Sequence, residues 1–101
     1  MVCKPTKQTG SYTNIHQSGK VYHGKGDRAR SQESGQEKAD KYNDPHIATE
    51  WKPASNDRAA FKDEARRLRG DNNGGPNGHR NGNNYNQRAS PGERYLQQDG
   101  Q

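Results

Sequence analysis

Apolar positions are sparse along this chain and come in short bursts. The first burst, Gly10-Ser11-Tyr12-Thr13-Asn14-Ile15-His16, is followed by polar Gln17-Ser18-Gly19 and then by Lys20-Val21-Tyr22-His23-Gly24. Two β-favouring runs around a Gly-bearing turn predict a hairpin, and the turn decides its register. A three-residue loop at His16–Ser18 pairs Ile15 with Gly19, Tyr12 with Tyr22 and Gly10 with Gly24. A two-residue loop at Gln17-Ser18 shifts the pairing by one and sets Tyr12 across from His23. Asp27 is placed to cap a helix reaching about Tyr42, with Gly35 weakening its middle. Ala29, Ala39 and Tyr42 are its apolar positions, and the charged residues between them make it a mostly solvated helix.

Asn43-Asp44-Pro45 ends that helix, because proline disfavours helical backbone at the residue before it. His46 to Trp51 predicts a strand with Ile47, Thr49 and Trp51 on one side, closed by Pro53. Ser55 or Asn56 caps the strongest helix, about Asp57 to Arg69, with Phe61, Ala65 and Leu68 as its buried stripe. Glu64 falls inside that stripe. A carboxylate there must sit at the edge of the face or be neutralised by a proton, a cation or a metal.

From Gly70 to Asn86, twelve of seventeen residues are Gly or Asn, which predicts a long loop without a core, mobile when free. Ser90 and Glu93 stand at capping-box spacing around Pro91, and predict a short terminal helix carrying Tyr95 and Leu96. The order is therefore β-β-α-β-α, a long Gly/Asn-rich loop near the C-terminus and a short helix, in a single domain over residues 1–101. There is no internal repeat.

Composition makes that fold marginal. Hydrophobic residues are 23% of 101, and Leu, Ile, Val and Phe together number seven. Ordering about 100 residues costs on the order of 100–200 kcal/mol of conformational entropy, so the fold must lean on aromatics, alanines and backbone pairing. No stretch approaches the roughly 20 apolar residues of a membrane span, and Met1 is followed by no signal-peptide core. The abrupt start reads as a domain cut from a longer protein. The single Cys3 cannot form an internal disulfide and reads as an incidental thiol; no Cys/His array has zinc spacing. Seventeen Lys and Arg against twelve Asp and Glu give a formal charge of +5, which favours polyanionic partners.

Tyr12 of Gly10-Ser11-Tyr12 stands ten positions before Tyr22 of Tyr22-His23-Gly24, and Lys25 follows. This paired motif resembles that of the GIY-YIG (URI-fold) endonucleases. Together with Asn56–Leu68 and Asn84–Tyr95 it looks most like the URI-fold toxin domains at the C-terminus of bacterial polymorphic toxins, over residues about 9–98. The resemblance implies a small α+β domain, a three-stranded antiparallel sheet flanked by helices, acting as a metal-dependent endonuclease, a DNase by family analogy, and as an effector in interbacterial competition. It implies Tyr12 as the group that contacts and deprotonates the attacking water, Tyr22 as an orienting phenol, and Lys25 as nearby positive charge. Arg30 would be the phosphate-contacting helix arginine, with Arg28 the alternative; Lys25, Arg28 and Arg30 together would bind substrate. Glu64 would ligate Mg²⁺ or Mn²⁺, and Asn86 would orient Glu64 or contact substrate. The gap before the helix arginine is about two residues short of the pattern, and Ser34 or Gln32 stands where many relatives have histidine; His23 offers an imidazole instead.

The resemblance further implies delivery by a bacterial secretion system within a larger toxin, action in the target-cell cytoplasm, and a cognate immunity protein. No membrane partner and no small-molecule cofactor are expected. Singly, each feature has an ordinary reading: a cross-strand tyrosine pair, a plain turn at Lys25-Gly26, a strand-surface His23, and Glu64 paired with Arg30 or Lys62. Two other functions fit the composition. One is a non-catalytic, partly disordered basic module that binds nucleic acid; the other is an RNase toxin on the same fold.

Overall fold

The computed structural model describes residues 8–75 and 77–101; Cys3 lies outside them. Strands β1 (Gly10–His16) and β2 (Val21–Lys25) form the expected hairpin, followed by α1 (Arg28–Tyr42), β3 (His46–Pro53), α2 (Asp57–Gly70) and α3 (Gly92–Gln98). The sheet has three strands in the order β2-β1-β3, both pairings antiparallel. The α+β class and the antiparallel sheet are as expected from the sequence. None of the described helices is long and apolar enough to cross a membrane.

The hairpin takes neither expected register. Tyr12 pairs with Gly24, Thr13 with His23 and Asn14 with Tyr22. The His16 amide donates to the Lys20 carbonyl at 2.9 Å, so the loop is Gln17–Gly19, one residue later than the three-residue alternative. Gly19 supplies the reason: its φ of +92° is the left-handed closing position of such a loop, and none of His16, Gln17 or Ser18 adopts it.

Helix α1 begins as its sequence demands, with the Asp27 carboxylate accepting from the Arg30 amide, and ends at Asn43 in the left-handed region. Gly35 does not interrupt it. The ring of His46 occupies the space where a side chain at residue 35 would stand. Ser31, Ser34 and Gly35 are the buried residues of α1, so small side chains let it lie close on the sheet.

Ile47 does not share the environment of Thr49 and Trp51. Pairing along β3 slips between Ile15 and His16, leaving Ile47 as the extra residue of a bulge, 62% exposed. Trp51 is anchored by its indole N–H to the Gly26 carbonyl at 3.0 Å. Asn56 caps α2 through the Ala59 amide. The buried stripe of α2 is Ala60, Ala65 and Leu68, with Phe61 at its half-buried edge.

The core is small and unusually polar. Tyr12, Ala54, Ala60, Ala65, Leu68 and Leu96 are its buried apolar residues, beside buried Ser11, Asn14, His16, His23 and Asn84. Such groups are tolerated only with partners. Asn14 donates to the Ser31 carbonyl at 2.9 Å and accepts from the Thr49 hydroxyl at 2.6 Å. Asp44 accepts from the Ser18 and Tyr85 hydroxyls, each at 2.6 Å, which holds its carboxyl below the usual range.

Between α2 and α3 the described chain forms one short 3-10 turn, Gly78–Arg80, and is tied to the sheet edge. Val21 bridges to Asn84, and the buried Asn84 amide donates to Asp71 and to the Gly78 carbonyl. The expected coreless loop is thus anchored by its own asparagine side chains. Glu93 does not complete a capping box. Its carboxylate is forked by Arg69 of α2, and α3 starts from Pro91 without a side-chain cap, the Ser90 hydroxyl just before it accepting from the Gly92 amide.

Candidate active site

Strand alternation divides the hairpin between two faces. Tyr12, Asn14, Tyr22 and Gly24 point toward α1, whereas Ser11, Thr13, His23 and Lys25 point toward α2. The Tyr12 and Tyr22 rings lie diagonally on their shared face with centroids 6.5 Å apart. Gly24, directly across from Tyr12, must lack a side chain: a Cβ there meets the Tyr12 ring at 2.3 Å.

Tyr22 and Glu64 line one open cleft of about 470 Å³ along the β2 edge. Lys38, Lys41 and Tyr42 of α1, Phe61 of α2, and the segment from Tyr85 to Pro91 complete its walls. Glu64 lies close enough for its charge to oppose ionisation of both phenols. Burial pushes the Glu64 carboxyl above its ordinary range, against the pull of the neighbouring Ser90 hydroxyl and the Lys25 charge. Neither Arg30 nor Lys62 pairs with it. Arg30 forks Glu37, and Lys62 binds Asp99 at 2.7 Å.

Tyr12 is 2% exposed, and burial pushes its phenol up to about 12. Tyr22 is raised too, first by burial and then by Glu64. Both shifts run against a phenol acting as base in the free protein. Arg30 pulls the other way on both rings. Arg28 is turned away, its guanidinium stacked over Trp51 at 4.6 Å from the ring centroid.

The other expected site residues have partners of their own. Lys25 pairs with Asp57 at 2.8 Å and lies over the Phe61 ring. His23 is held on the α2 face, its Nε2 2.7 Å from Asp71 and its Nδ1 2.8 Å from the Thr13 hydroxyl. Burial holds that imidazole below its ordinary value, with Asp71 opposing. Asn86 accepts from the His23 amide at 2.9 Å and donates to the His23 carbonyl at 2.8 Å, so its amide clips the strand edge from the wall of the cleft that Glu64 also lines.

Sequence reasoning passed over Lys38, Lys41 and Arg88 as cleft residues, and Arg67, which reaches from α2 to the Ser11 and Thr13 hydroxyls at 2.9 and 2.8 Å. The one-turn spacing of Lys38 and Lys41 was visible, but nothing local tells which face of a solvated helix borders a cleft.

Among the described residues, no group of three or more His, Cys, Asp and Glu converges to enclose an ion. A hard cation such as Mg²⁺ needs less, since one or two carboxylates with water and substrate phosphate satisfy it. Glu64 fits that mode: it is a partly buried carboxylate with no cation within ion-pair distance among the described residues. Compared with known protein families, with curated proteins and with solved structures, the chain matches none.

Proposed function

We propose that this protein hydrolyses nucleic acid phosphodiester bonds as a metal-dependent endonuclease of the GIY-YIG type. The observation that carries this reading is the grouping of Tyr22 and Glu64 in one cleft, with Tyr12 behind Tyr22 and Lys38, Lys41 and Arg88 around them. A purely structural helix face gains nothing from a half-buried carboxylate whose charge is disfavoured. A polyanion site does, because a substrate-bound cation offsets that cost.

Glu64 would hold Mg²⁺ or Mn²⁺, which when bound supplies positive charge to the phosphate and acidity to its water. With their pKa values raised, the phenols stay protonated at neutral pH and serve as hydrogen-bond donors. Tyr22, in the cleft wall, is placed to orient a phosphate oxygen, and Tyr12 fixes the Tyr22 ring from behind. Arg30, whose charge acts on both rings, is the better phosphate contact than Arg28, which is committed to Trp51. By the same family analogy, DNA is the substrate, the chain is the effector piece of a delivered bacterial toxin, and an acidic immunity protein covers the cleft.

The test is supercoiled plasmid and, separately, transfer RNA, each incubated with protein and Mg²⁺ with and without EDTA. Wild type should nick plasmid only with the metal, and Glu64→Gln should slow nicking by about 100-fold or more. Arg30→Ala should impair it far more than Arg28→Ala. Intact plasmid and intact RNA in every lane would leave a nucleic-acid-binding module, and cleavage of RNA alone would make the protein a ribonuclease.

A further inference from the structure

Seven cations among the described residues have carboxylate partners: Lys25, Arg30, Arg58, Lys62, Arg66, Arg67 and Arg69. Four around the cleft have none among the described residues: Lys20, Lys38, Lys41 and Arg88. The three lysines lie instead over tyrosine rings. Lys38 is 4.3 Å from the Tyr22 centroid, Lys41 5.3 Å from Tyr42 and Lys20 5.4 Å from Tyr85. Tyr42 and Tyr85 stack at 4.0 Å with an interplanar angle of 3°. Arg88 lines the cleft, and its charge favours the Tyr22 phenolate.

These contacts make a continuous path. It runs from Lys20 over the Tyr85–Tyr42 stack, along the α1 face that carries Lys41 and Lys38, to Tyr22 and Glu64. Two neighbouring acids are already engaged, since Glu37 is forked by Arg30 and Asp44 is held by Ser18 and Tyr85. An ammonium resting on a ring face is weakly held and trades that contact for a phosphate, uncovering the ring for a nucleobase. Alternating cations and aromatic faces suit one flexible strand. An open cleft of about 470 Å³ has room for a nucleotide or two.

We propose that Lys20, Lys38, Lys41 and Arg88 form a phosphate track that leads a single nucleic acid strand to Glu64, with Tyr22 and Tyr42 taking unpaired bases. This deepens the hydrolase reading and rests on it for the direction of the track. The test measures binding apart from cleavage. Fluorescence anisotropy in EDTA follows a labelled oligothymidylate and a duplex of equal length across a salt series, using Glu64→Ala protein.

The single strand should bind more tightly, with a log–log salt slope of about −2 to −3 for three or four phosphate contacts at about 0.7 each. Lys38→Gln with Lys41→Gln should make that slope shallower by about 1.4, and Lys38→Arg with Lys41→Arg should restore it. Lys52→Gln with Arg94→Gln, at exposed positions outside the cleft, should leave it unchanged. Tighter binding of the duplex, or equal slopes in all three double variants, overturns the track. So does tight capture of an acidic protein with no affinity for either oligonucleotide. Metal-dependent cleavage by wild type is scored in parallel. Its absence beside the expected slopes overturns the hydrolase reading alone, and its presence beside flat slopes overturns the track alone.

Discussion

Gly24→Ala tests the link between the sheet register and the candidate site. An ideal Cβ at residue 24 stands 2.3 Å from Tyr12 Cζ and Oη and 2.6 Å from Cε2, where ordinary contact begins at 3.4 Å. About 1 Å of overlap must be relieved, and the Tyr12 ring supplies the three nearest atoms. That ring is 2% exposed and has Tyr22 beside it, so it cannot swing without moving the site. Overpacking of this kind costs about 1–3 kcal/mol, and the worst overlaps cost more. The lost freedom of the unfolded glycine returns about 0.4–1 kcal/mol. The net expectation is a loss of about 2 kcal/mol, or roughly 8–16 °C in Tm for a domain of this size. Urea denaturation followed by far-UV circular dichroism measures it. A variant as stable as wild type, or more stable, would refute the pairing of Tyr12 with Gly24, because in either expected hairpin register the added methyl lies opposite another residue.

Asn86→Ala removes both hydrogen bonds that clip the β2 backbone and should cost about 1–2 kcal/mol, read as a lowered urea midpoint; an unchanged midpoint would show that the clip carries no stability. His23 carries a pH signature. Its folded pKa lies below the ordinary 6.5, so its contribution to stability is complete above that value and is lost as pH falls through the lowered one. Wild type should therefore weaken between about pH 7 and pH 5 by more than His23→Gln does, and parallel stability profiles would contradict the assigned burial. Glu64→Gln should move stability the other way. A carboxyl with a raised pKa destabilises the fold above its ordinary 4.5, so the amide should be at least as stable at neutral pH while cleavage is lost. A stability drop in Glu64→Gln would make the carboxylate a structural group.

Caps and breakers were legible because they act over one turn of chain. Asp27, Asn43, Asn56 and Pro53 end or start elements where local chemistry says they should. Tyr12, Tyr22 and Glu64 were legible as residue types along the chain; the fold sets Tyr22 and Glu64 in one cleft and buries Tyr12 behind Tyr22. Their electrostatics were not. The raised pKa values of Tyr12 and Glu64 come from burial, which depends on how closely α1 and α2 lie on the sheet.

The hairpin register lay in the left-handed backbone of Gly19, a choice among turns that residue types alone left open. The bulge at Ile47 arises from pairing with β1, thirty residues away in the chain, and no local signal marks it. The same holds for Asn86, Asn84 and Glu93, whose polar groups could serve as caps, ligands or clips until packing supplied a partner. Local sequence therefore set where backbone elements begin and end, since those energies are short-ranged. Side-chain roles waited on tertiary contacts, because a polar group acquires its partner, its burial and its pKa only when distant segments meet.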